Sequence, residues 1–307
     1  MIAAHADWSI DPRKRWVSIA RRDADGWRAQ APVPVGDPAG LAAGLIAEGA
    51  PVAIGLDLPL GVPRGFAQGR AEAGFVPFLR GLADRPGFFA VAATLDQVSR
   101  DRPFYPARGV KGMTRAAHAS ALGLADARGL SRLCDRATAE RPAGAPVFWT
   151  LGANQSGKAA IAAWRDWLAP GLAAGAPYAI WPFDGGIHAL LARGRAVLAE
   201  VYPAEALRHC ALVLRGSKRV QADRAAIADP VLGAMAARRV VPCAALRAMV
   251  ADGFGADAAG EDRFDSVIGL LGLVGVLDGA RPDVVPADDA VRRWEGWVLG
   301  QSALPAS

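Results

Sequence analysis

Five carboxylates occupy positions from which an α/β chain can do metal or acid–base chemistry. Asp7 ends the apolar stretch that starts at Ile2, and Asp57 ends the run PVAIGLD (Pro51–Asp57). Glu200 lies two residues before the end of AVLAEVY (Ala196–Tyr202). Asp262 and Asp265 open an apolar segment three residues apart, which on a helix puts them on one face. In open α/β sheets the carboxyl ends of strands line the functional crevice. Acids converging there repel one another unless a cation bridges them, and hard oxygen donors in this number favour Mg²⁺ or Mn²⁺. Two such ions can activate water and stabilise the leaving oxygen of a phosphodiester. Plainer readings exist for some of the five. Asp7 before Trp8-Ser9 and Asp57 before LPLG can be turn acids, and Asp262 is an ordinary helix N-terminal acid favoured by the dipole. Glu200, flanked by Ala199 and Val201, and Asp265, which no cap requires, are harder to explain structurally.

The elements that must carry these acids follow from periodicity. Ile2–Trp8, Trp16–Arg21 and Trp27–Val33 read as a meander of three strands, with turn chemistry at Asp11-Pro12-Arg13 and Asp23-Ala24-Asp25-Gly26. Asp37 as N-cap and Pro38 at the first position predict a helix to Glu48. Pro51–Asp57 follows as a buried strand. The stretch 58–146 is rich in Gly, Pro and Arg and reads as loops and short helices inserted over one end of the sheet. Alternation then returns. Val147–Leu151, Tyr178–Pro182 and Ala196–Tyr202 are expected strands. Helices are expected at Gly157–Leu168, Ile187–Gly194, Ala204–Leu214, Asp223–Ala237, Cys243–Asp252, Glu261–Leu277 and Asp288–Leu299. With no repeat and no obvious linker, residues 1–307 read as one elaborated α/β domain.

The segments around the acids carry a resemblance. VAIGLDLPLGVP (Val52–Pro63), AEVYPAEAL (Ala199–Leu207) and EDRFDSVIGLL (Glu261–Leu271) resemble the DUF429 family of predicted ribonuclease H-like nucleases. That family shows a DxPxG turn, an EVYP strand end and a DxxDA-type helix. The late DxxD is also similar to the paired aspartates of RuvC-like Holliday junction resolvases. The resemblance covers about half the chain, at its two ends. It implies a ribonuclease H-like mixed sheet, an antiparallel meander plus parallel strands, flanked by helices. It also implies Asp7 as the first-strand metal ligand, Asp57 as the bridging ligand and Glu200 as an accessory ligand or water-positioning base. Asp265 with Asp262 would complete a cage for Mg²⁺ or Mn²⁺.

A second motif competes. Gly152–Lys158 reads GANQSGK and matches GxxxxGK, but Ala159 stands where the Mg²⁺-binding Ser or Thr belongs. It can be a helix-capping turn, a nucleotide site, or a place where Lys158 holds a substrate phosphate beside the acids. Lys111 and Arg115, with Arg108, form a basic stretch able to grip a nucleic-acid backbone, or simply a solvated loop. The four His lack zinc spacing, and no GxSxG elbow or paired Cys starts a covalent mechanism. The Trp residues sit at core spacing.

Composition bounds the rest. Apolar residues make up 52% and charged residues 21% of the 307, enough for a sizeable core. The net charge of +5 fits a polyanionic partner without requiring one. Three scattered Cys exclude a disulfide framework and point to a reducing compartment. The N-terminal residues include His5, Asp7, Asp11 and Arg13 where a signal peptide needs apolar continuity, and Val267–Leu277 is too short to cross a bilayer. The sequence thus predicts a cytoplasmic, metal-dependent nuclease acting on DNA or RNA, with no membrane partner. The alternatives are an actin-like or P-loop-like nucleotide phosphotransferase using Gly152–Lys158 and a non-catalytic nucleic-acid-binding protein.

Overall fold

The computed structural model describes residues 1–109, 111–151 and 156–305. The chain divides into two compact units. The first comprises Met1–Asp57, Pro177–Val284 and Val298–Gln301 and is built on one mixed sheet. Its strands are β1 (Ile2–Asp7), β2 (Trp16–Arg22), β3 (Trp27–Ala29), β4 (Val33–Pro34), β5 (Val52–Leu56), β6 (Tyr178–Ile180), β7 (Ala196–Glu200) and β8 (Val240–Pro242). The order is β6-β7-β5-β1-β2-β3-β8, with β4 pairing β2. β6, β7, β5 and β1 run parallel, β1, β2 and β3 form the antiparallel meander, and β8 runs parallel to β3.

The central strands form because all their residues but His5, Asp7 and Glu200 are apolar, on both faces: all of β1, β5 and β7 is buried. The helices of this unit include Pro38–Ala47, Pro203–His209, Ala228–Ala237, Ala244–Ala251 and Gly260–Leu277. Asp37 caps the first, its carboxylate accepting from the amides of Ala39 and Gly40. The Gly260–Leu277 helix packs on β1 and β2, and nearly every residue from Phe264 onward is buried. Among the described residues no helix is long and apolar enough to cross a membrane.

The second unit comprises Leu58–Ala176, Val285–Trp297 and Ser302–Ser307. Its described residues form short helices, single turns and isolated bridges. Its core is aromatic: Phe66, Phe78, Phe88, Phe104 and Phe148 meet mostly edge to face, with Phe78 and Phe88 ring centroids 5.5 Å apart. Glu295, fully buried, accepts from Arg64 at 2.8 Å and from the Leu133 amide at 3.3 Å. Arg132 and Asp135 form a second buried pair at 2.8 Å.

Several expectations need correction. The loop-rich 58–146 stretch lies within the second unit, which runs on to Ala176. The cause is packing: Trp164 stacks edge-on against Phe75 at 5.4 Å and donates its indole N–H to Pro59 O at 3.0 Å. Val147–Leu151 is not a strand; Val147, Phe148 and Trp149 are buried core, and a lone bridge joins Trp149 to Tyr105. The predicted helix at Asp288–Leu299 shrinks to one wide turn, Val291–Glu295, ended by Gly296 at φ 67°. Asp223–Ala237 splits into Gln221–Ala225 and Ala228–Ala237, and β8 was not anticipated.

Candidate functional site

Register alone brings three acids to one edge of the first unit's sheet. Ala6 pairs with Leu56 across β1 and β5, and Leu56 pairs with Glu200 across β5 and β7. The Asp57 amide donates to Ala6 O at 3.1 Å, and the Val201 amide donates to Leu56 O at 2.9 Å. The three strands are parallel, so Asp7, Asp57 and Glu200 all come at carboxyl ends, the edge at which such sheets bind ligands. Asp7 is 8% exposed and Glu200 fully buried.

The Gly260–Leu277 helix supplies the other two acids from its first turns. Asp265 is 4% exposed and Asp262 is half-buried. The helix is held against the sheet by buried polar contacts. Ser18 and Ser266 share a hydroxyl hydrogen bond at 2.8 Å. The His5 ring nitrogens lie 3.1 Å from Ser266 O and 3.2 Å from Val201 O. Burial drives the His5 pKa down to about 4 against the pull of those carbonyls, so the ring is neutral and can donate to only one of them. Gly269 lets the helix reach this ring: a Cβ there would sit 2.0 Å from His5 Cε1. One imidazole therefore touches the helix bearing Asp262 and Asp265 and the backbone beside Glu200, from the strand that ends in Asp7. Gly269→Ala should cost about 1–3 kcal/mol in urea unfolding, and His5→Ala should remove most of that cost when combined with it. Unchanged stability in Gly269→Ala would show that this contact does not hold the helix.

The acids act on one another. Burial first, then the charges of Asp265, Asp57 and Asp262, raise the Asp7 pKa well above the carboxylate range. Burial and then Asp265 push Asp57 up to about 7, and Glu200 adds to the effect. The Asp7 side chain works the other way on Asp57, holding its value down against burial and Asp265. Burial pushes Asp262 up to about 6, and burial also raises Asp265, with Lys218 pulling it back down.

Lys218 is the residue that sequence reasoning missed. Its ammonium donates to Asp265 and lies 3.4 Å from Glu261. Burial opposes the charge, yet Asp265, Asp57 and Glu261 outweigh it and raise the Lys218 pKa. Crowding is thus relieved by protons and an ammonium. Among the described residues no group of three or more His, Cys, Asp or Glu side chains is arranged to hold a metal ion.

The structure gathers Asp7, Asp57, Glu200, Asp262 and Asp265; it assigns Lys158, Lys111 and Arg115 to the second unit. Residues 152–155 of the GANQSGK motif lie outside the described residues. Gly157 has a packing reason to be glycine, since a Cβ would fall 2.7 Å from Trp149 O and 2.8 Å from Val147 O. Lys158 lies in the first turn of the Ser156–Ala163 helix, half-buried. Lys111 is exposed, and the Arg115 guanidinium sits 5.8 Å from the Trp149 ring centroid. Comparison of the chain with protein-family models, with curated proteins and with solved structures gives no match.

Proposed function

We propose that the first unit is a ribonuclease H-like nuclease that hydrolyses a nucleic-acid phosphodiester with Mg²⁺ or Mn²⁺, as the DUF429 resemblance implies. One observation carries the reading: Asp7 at the end of β1, Asp57 just after β5 and the acids of the Gly260–Leu277 helix lie close enough to raise one another's pKa values, and Glu200 from β7 adds to the effect on Asp57. A purely structural cluster gains nothing from that repulsion.

The donor set suits a hard dication in kind. Asp265 Oδ1 and Asp262 Oδ2 are buried without a hydrogen-bond partner, and every side chain offered is an oxygen donor. Asp7, Asp57, Asp262 and Asp265 would hold the ions. When bound, two such ions supply water activation and stabilisation of the leaving oxygen. The chain's own groups do the rest. Asp7 and Asp57 bring the carboxylates of β1 and of the end of β5 together, Glu200 raises the pKa of Asp57, and His5 keeps helix and strands in register. The second unit carries the excess of Lys and Arg over Asp and Glu, while the first is near balance. That distribution favours phosphate-backbone contacts from the second unit, with Lys111, Arg115 and Lys158 as candidates.

The test combines chemistry and occupancy. The protein should cleave labelled DNA, RNA, hybrid or branched substrates in Mn²⁺ or Mg²⁺ and not in EDTA. Crystals soaked in Mn²⁺ should show anomalous peaks at Asp57 and Asp265. No cleavage of any substrate together with no peak at these acids would remove the assignment.

A further inference from the structure

Lys218 sits in a loop between the Pro203–His209 and Gln221–Ala225 helices, and its backbone is firmly anchored. Arg224 is 1% exposed and donates to three carbonyls: Lys218 O, Gly253 O at 2.8 Å and Gly255 O at 2.7 Å. A Cβ on Gly260 would fall 2.3 Å from the Arg224 guanidinium, so the start of the acid-bearing helix is shaped around this grip. The Ser217 amide donates to Asp223 at 2.8 Å, fixing the loop from the other side. The side chain beyond this anchor is 43% exposed, and its ammonium engages the first turns of that helix, at Asp265 and Glu261. Glu261 has a second cation at hand, with Arg219 Nε 3.6 Å away. Asp265 keeps one buried oxygen without a partner even while Lys218 holds the other.

These features describe a cation that can leave. The backbone is pinned, the side chain borders solvent, and Arg219 offers Glu261 a cation of its own. We propose that the Lys218 ammonium is an exchangeable counter-ion of the acid pocket, which neutralises Asp265 in the metal-free protein and yields to an entering divalent cation. The inference rests on the metal-dependent reading of the site and adds how the site is regulated: metal must compete with a built-in positive charge, so Lys218 sets the concentration at which the pocket fills.

Calorimetric titration of Mn²⁺ into the full chain at fixed pH tests this, using wild type, Lys218→Met, Lys218→Gln, Lys218→Arg and Asp265→Asn. Lys218→Met and Lys218→Gln should bind Mn²⁺ about 10- to 100-fold more tightly than wild type. Their melting temperatures should fall below wild type in EDTA and rise to meet it in saturating Mn²⁺. Lys218→Arg should restore the weaker affinity, and Asp265→Asn should lose binding. Equal Mn²⁺ affinity in wild type and both neutral variants would overturn the exchange while leaving the metal reading intact, as would weaker binding in those variants. Folded wild type and variants that all ignore Mn²⁺ would remove the metal reading and the exchange together.

Discussion

Asp57→Asn should lower metal-dependent cleavage by about 10²- to 10³-fold while making the metal-free protein more stable at pH 8. The two effects have one origin. Asp57 is buried beside Asp7, Asp265 and Glu200, and its pKa is pushed up to about 7. Ionising it in the fold therefore costs up to about 4 kcal/mol relative to the unfolded chain. Asn keeps the shape but removes both the charge that a dication would neutralise and the cost of carrying it. Loss of activity through unfolding would move stability the other way. Cleavage rates and urea unfolding of the same two preparations separate these cases. Equal activity in the two proteins would remove Asp57 from the chemistry.

The metal-free protein should lose stability as pH rises from about 4 to about 7. The acids whose pKa values are raised hold protons in the fold that the unfolded chain has already released. Asp57 rises to about 7 and Asp262 to about 6, with Asp7 and Asp265 shifted in the same direction. Their contribution is fully present below the unfolded value near 3.8 and is lost as pH climbs through the folded values. His5 works against this over part of the range. Its folded pKa of about 4 lies below the usual 6.5, so its contribution is lost as pH falls. The acids outnumber it, and the net slope is downward. The Asp57 share is isolated by subtracting the wild-type stability curve from that of Asp57→Asn. The difference should grow from pH 4 to 7 and level off above. Saturating Mg²⁺ should flatten the wild-type decline, because a bound dication takes over the task of the protons. A wild-type curve that is flat or rising from pH 5 to 7 in EDTA would contradict the crowding of these acids.

Most of the scaffold was legible wherever the chain is apolar for five residues or more. β1, β2, β5 and β7 lie within a residue or two of expectation, and the Gly260–Leu277 helix starts one residue early. Asp7, Asp57 and Glu200 were legible for the same reason, because each sits at or near the end of such a run. β8 escaped because three residues, one of them Pro242, carry no period and pair only through β3. Val147–Leu151 misled because a short apolar run packs into an aromatic core as readily as into a sheet. Lys218 was invisible for a deeper reason. It lies in an irregular loop, RGSKRV, and Arg224 with its backbone partners, together with the Ser217–Asp223 bond, brings it to acids more than forty positions away.

The contact between His5 and Ser266 joins residues 261 positions apart. Synthesis delivers β1 and β5 about two hundred residues before the Gly260–Leu277 helix, so the nascent chain holds Asp7 and Asp57 long before it holds Asp262 and Asp265. The acid cluster is therefore completed in a single step of self-assembly, when the Gly260–Leu277 helix docks on β1 and β2.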